Sequence, residues 1–221
     1  MQQLPTISLV TPSFNQSAFL EQTLLSVHRQ HYPHLEHVVI DGNSSDGSVD
    51  IIRRYSDHLK YWVSEPDGGQ AQAINRGFEH TTGESLGWLN SDDILLPGAL
   101  AAVGEIFARY PQIAWVTGLG TIIDAEGNLV RLSMPTGRFS SFLKRGWYHG
   151  RLFGFVRQES TFWRRELWER VGGLKEELVY GVDFDLWRRF AQHADLVTIQ
   201  SPLAAFRQHA NQKTSSLERY Y

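Results

Sequence analysis

Short apolar runs alternate with amphipathic stretches through the first half of the chain. Ile7-Ser8-Leu9-Val10 reads as a buried strand, and Leu20, Leu24 and Val27 follow at the i, i+4, i+7 spacing of one helix face. His37-Val38-Val39-Ile40 predicts a second strand, which leads through a polar Gly/Ser turn into a short helix containing Ile51-Ile52. Tyr61-Trp62-Val63 predicts a third strand, and a helix from about Gln70 puts Ala71, Ile74 and Phe78 on one face. Ser85 to Leu89 is a fourth strand. A helix beginning near Pro97, a residue suited to a first turn, turns Leu100, Val103 and Phe107 inward. Strand-helix repetition of this kind predicts an α/β fold with a Rossmann-like, mostly parallel, twisted sheet and helices on both faces. Its crossovers are right-handed, and ligands bind outside the carboxyl ends of its strands.

The second half follows a different pattern. Ala114 to Thr117 reads as a strand, Thr121 to Leu132 as a hairpin around Glu126-Gly127-Asn128, and helical spacing returns near Arg165–Val171 and Asp183–Gln192. Residues 133–160 are rich in Gly and aromatics and weakly periodic. No linker or repeat divides the chain. A single domain over residues 1–221 is expected, in which residues 111–221 complete a site opened by residues 1–110.

Composition narrows the picture. The 221 residues, 42 % hydrophobic, suffice for a large core. Lys+Arg 21 against Asp+Glu 24 leaves a net charge of -3, which argues against a nucleic-acid groove. The absence of cysteine removes disulfides and thiolate metal sites. Met1 to Pro5 does not read as a secretion signal, and the most apolar stretch, Ile94 to Ala108, is broken by Pro97, Gly98, Gly104 and Glu105. The expectation is a soluble cytoplasmic protein without a transmembrane segment. The pair Arg164-Arg165 leaves peripheral membrane contact open.

The residues that follow each strand carry the candidate chemistry. Thr11-Pro12-Ser13-Phe14-Asn15 offers hydroxyls and an aromatic suited to a flat base and ribose, or equally an ordinary loop with helix caps. Asp41-Gly42-Asn43-Ser44-Ser45-Asp46-Gly47 offers a carboxylate at a strand end, or a capped Gly/Ser turn. Glu65-Pro66-Asp67-Gly68-Gly69-Gln70 lets a backbone approach a ligand ahead of a helix N-terminus, with Asn75 and Arg76 one turn in. Asn90-Ser91-Asp92-Asp93 pairs carboxylates that repel unless a cation sits there; oxygen ligands suit Mg²⁺ or Mn²⁺ shared with a diphosphate.

In this order the motifs resemble a family 2 glycosyltransferase of GT-A fold, from Ile7 to about Thr214. The anchors are Thr-Pro-Ser-Phe-Asn at 11–15, Asp-Gly-Asn-Ser-Ser-Asp-Gly at 41–47, Glu-Pro-Asp at 65–67 and Ala-Ile-Asn-Arg-Gly at 73–77. Gly-Glu at 83–84, Trp-Leu-Asn-Ser-Asp-Asp at 88–93, Asp-Phe-Asp-Leu-Trp at 183–187 and Phe-Arg-Gln-His at 206–209 complete them. The resemblance implies that Thr11, Pro12, Asp41 and Asp67 hold the nucleobase and ribose and that Arg76 lies near the diphosphate. The wider donor set is Phe14, Asn15, Asn43, Ser44, Gln70, Asn75, Asn90, Ser91 and Asp92. It makes Asp92 the principal metal ligand, with Asp93 its rival and His209 on metal or diphosphate, beside Arg207 and Lys213 in sequence. Asp183 matches the general base. Two positions depart from the pattern. Asn90 stands where the family's first Asp of Asp-x-Asp stands, and Val182 replaces the Glu before the base, leaving Glu159 and Glu177 as substitutes.

The implied reaction is metal-dependent, inverting transfer from a nucleotide diphosphate sugar (UDP first, dTDP or GDP next) to a glycan or lipid-linked acceptor of cell-surface polysaccharide synthesis. Residues 139–160 and Arg164-Arg165 are expected on the acceptor side. Asp183 and Asp185 have a plain alternative as acidic residues at a helix start. Two other functions compete. A sugar nucleotidyltransferase usually needs a Gly-rich basic loop after the first strand, which Thr11 to Asn15 is not. A non-catalytic carbohydrate-binding protein on the same fold would use some of the seven tryptophans for stacking.

Overall fold

The computed structural model describes residues 3–133, 140–148, 155–210 and 212. The first half runs β1 (Ile7–Ser13), α1 (Ser17–His28), β2 (Leu35–Asp41), α2 (Ser48–Arg54), β3 (Tyr61–Ser64), α3 (Gln70–Glu79) and β4 (Ser85–Trp88). The chain continues through β5 (Ile94–Leu95), α4 (Ala99–Arg109), β6 (Trp115–Ile123), β7 (Leu129–Leu132) and α5 (Ser140–Lys144). It then forms β8 (Thr161–Arg164), α6 (Arg165–Val171), α7 (Val182–Ala191) and β9 (Leu196–Arg207). One sheet has the order β3-β2-β1-β4-β8-β6-β9-β5, with β7 beside β6.

The two halves of the sequence build two kinds of pairing. β1 pairs parallel with β2 and β4, and β2 with β3, as the strand-helix alternation requires. Ser13, Asp41 and Ser64 stand level at the carboxyl edge. β8 then lies antiparallel to both β4 and β6 and joins this unit to the rest. β9 runs parallel to β6 and carries its C-terminal residues to the same edge.

Helices cover both faces. Val10, Val38 and Ile40 face α3, where a Cβ on Gly77 would lie 2.4 Å from Val10 Cγ1; only glycine lets this helix sit so close. On the other face Ile7 and Leu9 meet Val27 of α1 and Leu100 and Val103 of α4. Trp88, Trp115, Trp163 and Trp187 are at most 2 % exposed and pack on one another, stacked or edge-to-face, at ring separations of 5.4–5.8 Å. These four tryptophans are core, which removes them from sugar stacking. Among the described residues no helix is long and apolar enough to cross a membrane.

The structure adds three strands to the expected set: β5, β8 and β9. The expected strand at 114–117 and the first arm of the hairpin are one strand, β6. The expected helix at Pro97 starts at Ala99. Arg164 and Arg165, expected on the acceptor side, are both tied to the fold. Arg164 pairs with Ser85 at the start of β4, at the end of that strand away from Asn90, and donates to the carbonyls of Phe107, Tyr110 and Ile113. Arg165 donates to Gly83 O and Thr81 Oγ1. Loose carbonyls at the end of α4 and the start of β4 engage both guanidinium groups.

Candidate active site

Four loops leave the carboxyl edge of β1 to β4 side by side. The first two are laced together. Asn15 N–H donates to Ser44 Oγ, Ser45 N–H to Asn15 Oδ1, and Ser17 N–H to Asp46 Oδ2. Asn15 and Asn43 both take positive φ (52° and 66°), which asparagine tolerates better than most residues. Asp41 is fully buried and accepts from Ser44 N–H, Ser44 Oγ and Ser64 Oγ.

Phe14, Gly42 and Asp67 come together. Phe14 is 61 % exposed. A Cβ placed on Gly42 would meet Asp67 Oδ2 at 3.1 Å and Phe14 Cδ2 at 3.3 Å, so the glycine backbone packs closely against both side chains. Asp67 also accepts from Gly69 N–H at the head of α3. Thr11 lies apart. Its hydroxyl is buried with Leu9's face of β1, 3.0 Å from His37 Nε2, and burial pushes His37 down to about 3, so the ring is neutral. Pro12 is buried on the α3 side of β1.

On α3, Arg76 is partly exposed and pairs with Glu65 Oε2 at 2.6 Å, a hydrogen bond that holds its guanidinium above the usual range. Asn75 clasps the chain leading to α7: its Nδ2 donates to Leu174 O and Glu176 Oε1, and its Oδ1 accepts from Leu174 N–H. Gln70 Nε2 donates to Asn90 Oδ1 at 2.7 Å and joins the third loop to the fourth.

The fourth loop is held from beneath. Ser91 is buried, and its carbonyl and that of Asp93 accept from Thr23 Oγ1 of α1. Asn90 Nδ2 donates to Gln158 Oε1 at 3.1 Å, and Gln158 Nε2 to Trp88 O at 2.6 Å. Asp92 and Asp93 point apart. Asp93 is 1 % exposed and accepts from Arg207 N–H; burial, then the charges of Asp92 and Glu159, raises its carboxyl well above the usual range. Asp92 Oδ2 lies 3.1 Å from His209 Nε2, with side-chain exposures of 18 % and 6 %.

Arg207, two residues before His209, is fully buried. It donates to Asp92 O, Asp124 O, Ala125 O and Gln22 Oε1. It fastens the turn with four of its five guanidinium N–H groups. Lys213 and residues 149–154 lie outside the described residues.

Asp183 sits in the first turn of α7, and burial raises its carboxyl. Asp185 pairs with Arg189 and Lys175, the plain role open to an acidic residue there. Glu159 is 4 % exposed on a 3₁₀ turn over Gln158–Ser160, and its Oε1 has no hydrogen-bond partner. Burial pushes its carboxyl up to about 7, with Arg157 opposing and Asp183 and Asp92 adding to the rise. It therefore couples to both carboxylates. Glu177 is exposed on the approach to α7.

Among the described residues no three His, Cys, Asp or Glu side chains are arranged to hold a metal alone. Asp92 and His209 nevertheless fit a cation shared with a diphosphate. Such cations take one or two protein ligands and phosphate oxygens for the rest.

Residues 8–169 match Glycosyl transferase family 2. The chain belongs to that family. An uncharacterized glycosyltransferase of Mycobacterium tuberculosis is 31 % identical over 208 residues, 93 % of this chain and 76 % of the relative. A GalNAc(5)-diNAcBac-PP-undecaprenol beta-1,3-glucosyltransferase of Campylobacter jejuni is 27 % identical over 92 % of this chain and 71 % of its own. Among solved structures, S. aureus TarS 1-349 in complex with UDP-GlcNAc has a TM-score of 0.76 at 17 % identity, over 96 % of this chain and 61 % of that one. The mannosyltransferase PcManGT from Pyrobaculum calidifontis, in complex with GDP-Man and Mn²⁺, has a TM-score of 0.71 at 22 % identity, over 96 % of this chain and 60 % of that one. This chain thus spans about three-fifths of those structures, and they share its GT-A fold. It is a glycosyltransferase, and a relative from Myxococcus xanthus, 31 % identical over 85 % of this chain and 14 % of its own, is named O-antigen biosynthesis protein RfbC.

Proposed function

We propose that this glycosyltransferase moves a sugar from a nucleoside diphosphate to an acceptor hydroxyl with inversion, using Asp183 as base and a divalent cation, Mn²⁺ or Mg²⁺, at Asp92 and His209. The observation that carries the reading is the acidic centre at the carboxyl edge of β4, closed by His209 Nε2 at 3.1 Å from Asp92 Oδ2. Phe14, Gly42 and Asp67 receive the base, Asp41 braces the second loop, and Gln70 and Asn90 position the turn that meets the diphosphate. A cation held there offsets the charge that develops on the leaving diphosphate. Asp183, a carboxylate whose proton affinity burial has raised, takes the proton of the attacking hydroxyl. One base and direct displacement lead to inversion.

UDP is the first donor nucleotide to test, with GDP and dTDP next; the UDP-GlcNAc and GDP-Man complexes of the fold neighbours support that order. The Campylobacter jejuni relative supports a lipid-linked or glycan acceptor. The test is thermal unfolding with UDP, GDP, dTDP and CMP, each with Mn²⁺ and with chelator. A nucleotide at 100 times its dissociation constant adds roughly 2.7 kcal/mol, or about 5–10 °C for a domain of this size. A rise with one diphosphate only when Mn²⁺ is present is expected. No rise with any of the four overturns the reading.

A further inference from the structure

One face of α1 reaches the acidic centre. Phe19, Gln22 and Thr23 stand at i, i+3 and i+4, so they share a side of the helix. Each meets a different part of the centre. Thr23 Oγ1 lies 3.0 Å from Ser91 O and 2.7 Å from Asp93 O and underpins the Asp92 turn. Gln22 Oε1 accepts from Arg207 Nη2 at 2.8 Å. The Phe19 ring lies against the His209 ring, with centroids 4.5 Å apart and planes tilted by 43°. The Arg207 guanidinium stands over the same phenyl ring at 5.1 Å.

The two side chains offered to a cation are held in different ways. Asp92 belongs to a turn fastened by Thr23 and Arg207. His209 lies two residues past Arg207, the last residue of β9, and its backbone N–H donates to Gln212 Oε1 at 3.0 Å. Its imidazole has two side-chain torsions to fix before Nε2 can face Asp92 Oδ2 at 3.1 Å. A ligating imidazole works only when its ring is oriented by a neighbour, and such neighbours tune affinity strongly. Here the neighbour on the flank of the ring is Phe19. Aromatic pairs have preferred geometries, so this contact restricts the plane of the imidazole as well as covering it.

We propose that Phe19 is a positioning residue for His209. Its ring fixes the imidazole plane with Nε2 toward Asp92, and α1 thereby ties the loop after β1, which carries Phe14 and Asn15, to the pair that would hold the cation. The inference rests on the nucleotide-sugar reading above, in which Asp92 and His209 share a cation with the diphosphate.

Four variants test it. Phe19→Leu removes the ring, Phe19→Tyr keeps it, and His209→Ala is made alone and with Phe19→Leu. Affinities for UDP, GDP and dTDP are measured across a Mn²⁺ series and in chelator, together with melting of each metal-free protein. Phe19→Leu should need about five- to tenfold more Mn²⁺ for half of the gain in nucleotide affinity, the size set by loss of one aromatic pair. Its affinity in chelator should stay within about twofold of wild type, and its metal-free melting within about 3 °C. Phe19→Tyr should match wild type within about twofold. On the His209→Ala background, Phe19→Leu should add less than about twofold, because the phenyl ring acts through the imidazole. An unchanged Mn²⁺ requirement in Phe19→Leu, an equal loss in Phe19→Tyr, or a full further loss on the His209→Ala background overturns the inference and leaves the transferase reading standing. A larger fall in metal-free melting with loss of affinity in chelator assigns Phe19 to the framework and also overturns it. Wild type that gains no affinity from Mn²⁺ with any of the three nucleotides overturns the metal reading and the inference with it.

Discussion

Arg207 grips the Asp92-Asp93 turn twice, through its backbone N–H to Asp93 Oδ1 at 2.9 Å and its Nε to Asp92 O at 2.8 Å. Arg207 is thus an anchor for the Asp92-Asp93 turn. Its charge is spent on backbone geometry that aims the Asp92 side chain outward.

Replacing Arg207 by Leu should strip donors from four partly buried hydrogen bonds. The expected loss is about 3–5 kcal/mol, a fall in melting temperature of roughly 10 °C, measured by calorimetry on the ligand-free protein.

The two aspartates should separate in their effects. Asp92→Ala should leave ligand-free melting within about 2 °C and abolish the Mn²⁺-dependent part of nucleotide affinity, because its carboxylate faces only His209. Asp93→Ala should lower ligand-free melting by several degrees, because the Arg207 N–H would lose its buried acceptor. Calorimetry and nucleotide titration of both variants check this; the reverse pattern would make Asp93 the ligand.

Restoring the family's aspartate should not improve this protein. In Asn90→Asp the donor to Gln158 Oε1 becomes a second acceptor, and Gln158 is already bound to Trp88 O. We expect a loss of about 1–3 kcal/mol without metal, partly regained in Mn²⁺, read as melting temperature with and without the cation.

Gly42→Ala should lower nucleotide affinity by about tenfold or more with circular dichroism unchanged, because its methyl group would press on both Asp67 and Phe14. A nucleotide dissociation constant equal to wild type would place the base elsewhere.

Asp183→Asn should reduce transfer by about 10²–10⁴-fold at unchanged nucleotide affinity. Wild-type activity should fall as pH drops. Burial raises the Asp183 carboxyl, so the base takes up its proton, and the acid limb of kcat appears, at a pH above the ordinary carboxylate range. A kcat that stays flat down to pH 4 would remove Asp183 as the base.

The parallel half of the fold was legible because its period changes from two to 3.6 at each strand-helix boundary. Leu9 and Val10 or Leu20 and Leu24 declare their elements locally. β8 was not legible, since Thr161-Phe162-Trp163-Arg164 runs straight into α6 with no turn residue between them. β9 hid for the opposite reason, with Gln200-Ser201-Pro202 interrupting a twelve-residue strand. Loops after strands hold the proposed donor-side residues, because position in such a sheet is itself a functional signal. Glu159 was visible only as one of two glutamates. Burial is decided by β8 and β9, and nothing local distinguishes it from exposed Glu177. Thr11 shows the limit of motif reading: alternation along β1 turns its hydroxyl to His37.

The sequence distances across the acidic centre have a kinetic consequence. Arg207 meets Asp93 across 114 residues and Gln22 across 185, and His209 meets Asp92 across 117. Contacts of such span form late and at high entropic cost. A nascent chain can lay down β1 to β4 and present the donor-side loops while the Asp92 turn is still unfastened. Competence arrives only when β9 slides in beside β6. By the same order, loosening β9 alone would silence the enzyme while most of its sheet stays folded.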